Sequence, residues 1–119
     1  MLVELKDTNE VIGTIEVDKI NSKHNNCEVG YAYASKYWGC GYATEALKIV
    51  LEYLLSEVGF DLVEANHYAS NIPSGKVMEK AGMKKDGILR KRRKNKEADG
   101  YDDLVIYSIT KDELQNILN

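Results

Sequence analysis

Cysteine, histidine and tryptophan are scarce in this chain of 119 residues, which has two cysteines, two histidines and one tryptophan. Cys27 and Cys40 form no CxxC pair, and His24 and His67 are isolated, so the sequence favours neither a zinc site nor a disulfide framework. No apolar run approaches the ~18 residues that a transmembrane helix needs. The start, MLVELKDTNE, lacks the basic region and apolar core of a signal peptide. We therefore expect a cytoplasmic protein without bound metal or membrane contact.

An excess of positive charge is also missing, since the net charge is −3. This balance does not favour nucleic-acid binding by the whole domain. One segment differs, because KKDGILRKRRKNK (84–96) contains eight of the 16 lysine and arginine residues. We interpret this basic run as a solvated strand pair and loop, with a surface for RNA or another acidic partner as the alternative. With 44% hydrophobic and 29% charged residues, the sequence predicts one soluble globular domain over residues 1–119.

The apolar periodicity changes along the chain. VIGTIEV (11–17) pairs with MLVEL as a first hairpin, and CEVGYAYA (27–34) is a third strand. A helix follows from Thr44 and ends at Gly59, with one apolar face made of Leu47, Val50, Leu51, Leu54 and Val58.

The second half of the chain again contains both strands and helices. DLVEANHY (61–68) is a strand, and a short helix begins at its N-cap Asn71, with Pro73 in the first turn, and ends at Gly82. Two strands follow, joined by a charged loop, and the helix KDELQNIL ends the predicted order. The order β-β-β-α-β-α-β-β predicts an α/β fold with a mixed sheet and helices packed on it.

The stretch YWGCGYATEAL (37–47) joins the third strand to the long helix. Its glycines and the N–H groups of the helix start suit a pyrophosphate. Two common nucleotide motifs do not fit, because a P-loop would need glycine where Ser70 stands before Gly75-Lys76, and a dinucleotide fingerprint would need glycine at Thr44. Alone, the motif therefore leaves an ordinary turn, a phosphate site and a thiol site open.

Three motifs in this order resemble the GNAT acetyltransferase superfamily over nearly the whole chain. EVGYAYASKYWGCGYATEAL is similar to the acetyl-coenzyme A motif of the branch that includes ribosomal-protein N-terminal acetyltransferases, and NIPSGKVMEKAGM is similar to that branch's second motif. The final strand pair, with DG and YDD before the last strand, resembles the end of the same domain. The resemblance implies an acyl-CoA N-acyltransferase-like fold.

In that superfamily, coenzyme A lies between two parallel strands that splay apart. The resemblance implies that the pantetheine arm pairs with backbone after the third strand and that the glycine turn binds the pyrophosphate. Asn71 and Ser74 would face the pantetheine and the thioester, and Lys76 would reach a phosphate. The implied cofactor-binding set is Tyr33, Ala34, Ser35, Trp38, Gly39, Cys40, Gly41, Tyr42, Ala43, Thr44, Asn71, Ser74 and Lys76.

Direct transfer of an acetyl group to an amine needs a base for the amine and a proton for the departing thiolate. Glu28 and Glu64, on the two central strands, are both candidate bases, directly or through water. Met78 stands where many members have a tyrosine acid, so the role passes to Ser74 or to water, or goes unfilled. We expect acetyl-CoA as cofactor and a primary amine, of a protein N-terminus or a small molecule, as acceptor.

The chain differs from the superfamily pattern at its start, where a strand and two helices usually precede the first hairpin. We therefore expect an N-terminally shortened fold whose acceptor wall is missing or is supplied by a partner chain, and an exposed sheet edge would allow a homo-oligomer. Two alternatives to an enzyme stay open: a non-catalytic coenzyme A-binding module, and an RNA- or ribosome-associated protein that uses residues 84–96.

The role assigned to Cys40 is a backbone role, because the pyrophosphate would contact N–H groups and no sulfur. We predict that Cys40→Ala leaves the affinity for acetyl-CoA unchanged in calorimetric titration. Loss of binding by a variant with an unchanged circular dichroism spectrum would instead assign the site to the thiol.

Overall fold

The computed structural model describes residues 2–4, 11–33, 41–95 and 100–118. Its elements confirm the predicted order of strands and helices, including the closing helix. They are β1 (Leu2–Glu4), β2 (Val11–Asn21), β3 (Asn26–Tyr33), α1 (Tyr42–Glu52, continued by a π-helical turn over Tyr53–Val58), β4 (Leu62–Tyr68), α2 (Ile72–Lys80), β5 (Lys84–Asn95), β6 (Gly100–Thr110) and α3 (Lys111–Leu118).

The described strands form one six-stranded mixed sheet in the order β1-β2-β3-β4-β6-β5. Every neighbouring pair is antiparallel except β3 and β4, which are parallel. A parallel pair needs a crossover connection, and α1 provides it. Because α1 follows β3 and α2 follows β4, both helices begin near the same edge of the sheet.

The helices pack on one face of the sheet, and side chains alternate between its faces. Buried residues of all three helices belong to the same core as Val63 of β4 and Ile109 of β6; examples are Leu47, Met78 and Leu114. The other face of β3 and β4 carries the polar residues Glu28, Glu64 and Asn66, which are half-buried. Among the described residues, no helix is long and apolar enough to cross a membrane.

The apolar face predicted for the long helix is correct at four positions and wrong at its end. Leu47, Val50, Leu51 and Leu54 are buried, but Val58 is 51% exposed and Leu55 is fully buried instead. The reason is the π-helical turn, in which the wider i→i+5 spacing rotates the last residues relative to a regular α-helix. The predicted stop is confirmed, since Gly59 ends the helix with φ of 97°.

Gly75, in the first half of α2, lies close to the side chain of His67 on β4. A Cβ added to Gly75 would be 2.8 Å from Nε2 of His67. The His67 ring is fixed by a 2.8 Å hydrogen bond from Nδ1 to the carbonyl oxygen of Tyr68 and by a tilted contact with the Tyr107 ring, 5.7 Å between centroids. Gly75 therefore lets the helix approach the strand.

We predict that Gly75→Ala lowers the free energy of unfolding by about 1 kcal/mol, because an overpacking cost of about 1–3 kcal/mol outweighs a helix-propensity gain of about 1 kcal/mol. Urea unfolding measures the change. In a His67→Ala background the contact is absent, so the same substitution should become stabilising.

Gly87→Ala is the matched control, because a Cβ added there meets no atom within 4 Å. Its effect should stay within about 0.5 kcal/mol. A stabilising Gly75→Ala substitution in the otherwise unchanged protein would contradict the close packing of α2 on His67.

Candidate active site

The central feature of the site is a gap between β3 and β4. In the described strands these two pair at three positions, Asn26↔Leu62, Cys27↔Val63 and Glu28↔Glu64. Both strands then continue, β3 to Tyr33 and β4 to Tyr68, each paired with its outer neighbour along its length. Beyond Glu28 and Glu64 the described residues of β3 and β4 are not paired with each other, so a gap separates the two inner edges. This is the splay that the sequence resemblance implies.

A cleft of about 620 Å³ lies beside the N-termini of α1 and α2. The N-cap of α1 is Gly41, with φ of 82° and no side-chain cap. The N–H groups in the first turn of an α-helix have no acceptor within the helix, and the helix dipole makes that end positive. The residues that line the cleft are Gly41, Ala43, Thr44, Glu45, Lys48, Ile72, Pro73, Lys76, Val77 and Lys80.

Three lysines of the cleft give it the charge that a phosphate group needs. Lys76 belongs to the predicted site, whereas Lys48 and Lys80 do not. Each of these two stands four residues after a predicted site residue on the same helix, Thr44 or Lys76. The i,i+4 spacing, which places side chains on one helix face, is therefore the sequence signal that identifies them.

The start of α2 is capped by its own residue and contacts β3. The side chain of Asn71 is the N-cap and accepts a hydrogen bond from the backbone N–H of Ser74, at 3.4 Å. Tyr31 of β3 donates its hydroxyl to the carbonyl oxygen of Ser74, at 3.0 Å. Ser74 is 7% exposed, so it is buried at the start of α2, and it is not among the residues that line the cleft.

Glu28 and Glu64 are neighbours at the narrow end of the gap, where pairing stops. The Glu28 carboxylate accepts a hydrogen bond from the side-chain amide of Asn66 and lies 3.1 Å from the ammonium group of Lys19. Burial, followed by the negative charge of Glu28, raises the pKa of Glu64. The structure thus brings together the two candidate bases and gives them different surroundings.

The remaining predicted site residues divide into two groups. Tyr33 ends β3, and Gly41, Tyr42, Ala43 and Thr44 lie at the start of α1. The predictions for Ala34, Ser35, Trp38, Gly39 and Cys40 lie outside the described residues. Met78 is 1% exposed and is part of the core.

Comparison with known proteins identifies the class. Residues 1–84 match the model of the acetyltransferase (GNAT) domain, so the chain belongs to the GNAT acetyltransferase family. It is similar to the uncharacterized N-acetyltransferases YoaA and YnaD of Bacillus subtilis (strain 168), with 34% identity over 74% of this chain and 36% identity over 75%. The chain spans about half the length of these curated relatives, 50% and 52%.

Solved structures show the same fold. A GNAT-family acetyltransferase from Bacillus anthracis superposes with a TM-score of 0.81 and 31% identity, over 93% of this chain and 65% of that one. A mutant of the spermidine N-acetyltransferase SpeG from Vibrio cholerae superposes with a TM-score of 0.86 over 99% of this chain and 68% of that one. Its identity is 20%, so this second likeness concerns the fold alone.

The raised pKa of Glu64 has a consequence for stability. A carboxyl group whose pKa is higher in the folded state than in the unfolded state destabilises the protein at a pH where the group is ionised in both states. We predict that Glu64→Gln raises the free energy of unfolding at pH 7. The gain should disappear as the pH falls through the raised pKa and then the ordinary value near 4.5, where the wild-type carboxyl is also neutral.

Urea unfolding at pH 7 and at acidic pH measures this difference, with Glu16→Gln as the control at an exposed position of β2. The control variant should show no comparable gain. If Glu64→Gln were no more stable than the wild type at pH 7, the proposed environment of Glu64 would be wrong.

Proposed function

We propose that this chain is an acetyl-CoA-dependent N-acetyltransferase that transfers the acetyl group directly to a primary amine. The observation that carries the proposal is the end of β3–β4 pairing at Glu28 and Glu64, together with the lysine-lined cleft between α1 and α2, the helices that follow these two strands. A long thiol cofactor with amides in its arm and phosphates at its end would suit both parts of this site. The amides would match the strand edges of the gap, and the phosphates would match the lysine-lined cleft. Family membership supports the same reaction class.

The cofactor-binding residues would follow the gap from its centre to its wide end. Backbone groups of Tyr33, Ala34 and Ser35 would pair with the pantetheine amides, as an added strand pairs with a sheet edge. N–H groups from Gly39 to Thr44 would bind the pyrophosphate, assisted by the uncapped helix end. Trp38 would flank this turn, and Asn71 and Ser74 would contact the arm from the side of α2.

The lysines extend this assignment to the rest of the phosphate charge. Lys48, Lys76 and Lys80 border the cleft next to Gly41 and Thr44. Ammonium groups bind phosphate as point charges, so they add affinity without requiring one exact geometry. The cleft therefore has cationic groups on both helices around the expected phosphates.

The two candidate bases would lie at the narrow end. When bound, acetyl-CoA supplies an activated thioester. Glu64, whose pKa is raised, is the better of the two candidate bases for accepting a proton from the acceptor amine. Glu28 is fixed by Asn66 and Lys19, and its negative charge would attract a cationic acceptor. Ser74, or water beside it, would return a proton to the departing sulfur.

The acceptor is either the N-terminus of a protein or a small amine. The motifs that include Gly39–Thr44 and Asn71–Ser74 resemble the ribosomal-protein N-terminal acetyltransferase branch, and this favours a protein N-terminus in the cytoplasm. Residues 1–119 would form one acetyltransferase domain, as a single chain or in a homo-oligomer.

The RNA-binding alternative has weaker support in the geometry. Three basic side chains of β5 are engaged within the protein: Lys84 pairs with Glu113 at 2.7 Å, Arg93 pairs with Asp102 at 3.0 Å, and Lys91 lies over the ring of Tyr101. The two ion pairs neutralise part of the charge of the basic run. The non-catalytic alternative has the same cofactor site but does not catalyse acetyl transfer. A single experiment that measures both binding and turnover therefore distinguishes it from the enzyme.

The test combines calorimetric titration with acetyl-CoA and a free-thiol assay with peptide N-termini and polyamines as acceptors. We expect binding and an acceptor-dependent release of thiol, which Glu64→Gln should reduce by about 10²-fold or more if Glu64 is the base. Binding without release would favour the non-catalytic module. Absence of binding by the folded protein would reject the proposal.

The phosphate assignment has its own variant pair. Lys48→Gln combined with Lys80→Gln should weaken acetyl-CoA binding by about tenfold, because each lost charge-assisted contact at an exposed site contributes about 0.5–1 kcal/mol. The dependence of affinity on salt should fall as well. Lys23→Gln, at an exposed position in the β2–β3 turn, is the control and should bind as the wild type does.

A further inference from the structure

The turn between β4 and α2 is attached to β6 by several hydrogen bonds. The N–H of Ala69 donates to the carbonyl oxygen of Asp103, at 2.8 Å. The N–H of Ser70 donates to Oδ1 of Asp102, at 3.1 Å, and the hydroxyl of Ser70 donates to Oδ2 of the same carboxylate. This turn leads directly into Asn71, the N-cap of α2.

Asp102 is the centre of these contacts. Its side chain is 5% exposed, and its carboxylate also accepts a hydrogen bond from the guanidinium of Arg93, at 3.0 Å. The hydrogen bond from Ser70, with the contribution of Arg93, keeps the pKa of Asp102 below its ordinary value. Arg93 in turn lies 3.9 Å above the ring of Tyr68, the last residue of β4. The carboxylate therefore links β6, β5, the end of β4 and the turn.

The adjacent aspartate fixes the strand that supplies Arg93. β5 has an irregularity between Leu89 and Arg93, where three residues of β5 (90–92) lie opposite one residue of β6, Asp103. Within it, Lys91 has φ of 53° and donates its N–H to Oδ1 of Asp103, at 2.9 Å. Such bulges bend a strand and redirect its side chains. Here the redirected side chain is Arg93, on Asp102.

We propose that Asp102 is a positioning residue for the cofactor site, acting through Ser70 to fix the β4–α2 turn and thus the placement of Asn71 and Ser74. The inference rests on the proposed function, because Asn71 and Ser74 matter through their contacts with acetyl-CoA. Asp102 touches neither the gap between β3 and β4 nor the lysine-lined cleft, so its effect on binding is transmitted through the turn.

The test compares Asp102→Asn and Ser70→Ala with Asp112→Asn, an exposed aspartate on α3 that serves as control. Calorimetry with acetyl-CoA is carried out at a temperature where circular dichroism shows every variant folded. Asp102→Asn should weaken binding by about tenfold, since it removes a charge-assisted contact and loosens the turn. Ser70→Ala should weaken it less, because the backbone N–H of residue 70 still donates to Asp102.

Amide hydrogen exchange provides a readout that does not depend on the cofactor. Asp102→Asn should speed exchange in residues 69–74 and leave β3 and α1 unchanged. Lower thermal stability with unchanged affinity and unchanged exchange in the turn would assign a structural role alone and overturn the proposal. Faster exchange with unchanged affinity would overturn it too. Failure of the proposed function can be distinguished from failure of this proposal, because in that case the wild-type protein itself would not bind acetyl-CoA.

Discussion

The early end of pairing between β3 and β4 is the constraint on which the rest of the site depends. Two parallel strands that stop pairing inside a sheet leave an opening between their inner edges. The outer neighbours, β2 and β6, keep each strand in place, so the gap is part of a rigid sheet. The opening thus provides two preformed edges for a ligand that can itself act as a strand.

The same topology places both helix starts at the wide end of the gap. Parallel strands end at the same edge, and α1 and α2 each follow one of them, so their positive N-termini lie close to the opening. Lysines on these two helices add to that field, while the carboxylates of Glu28 and Glu64 lie at the opposite, narrow end. The site is therefore polarised along the gap, with one end suited to phosphates and the other to an amine.

Sequence reasoning could predict the features that depend on local pattern. The order of elements, the N-cap Asn71, the stop at Gly59 and the buried Leu47 follow from periodicity, capping and turn residues. It failed at Val58, because a π-helical turn changes the phase of the helix without a clear signal in residue type. The family motifs add the glycine turn, but they do not provide the register that makes Glu28 and Glu64 neighbours. The environments of those two carboxylates depend on Lys19 and Asn66, which lie on different strands, so a pattern along one segment could not separate them.

The contacts of Asp102 show a second limit of reasoning from motifs. The match to the family model covers residues 1–84, which include every residue of the predicted site. The groups that fix the start of α2, Asp102 and Arg93, come from the hairpin of β5 and β6 that follows. That hairpin pairs with β4 through seven consecutive positions of β6, so the end of β4 and the β4–α2 turn rest on it. The placement of Asn71 and Ser74 is therefore a property of the packed sheet, and the motif that contains them describes their chemistry but not what keeps them in place.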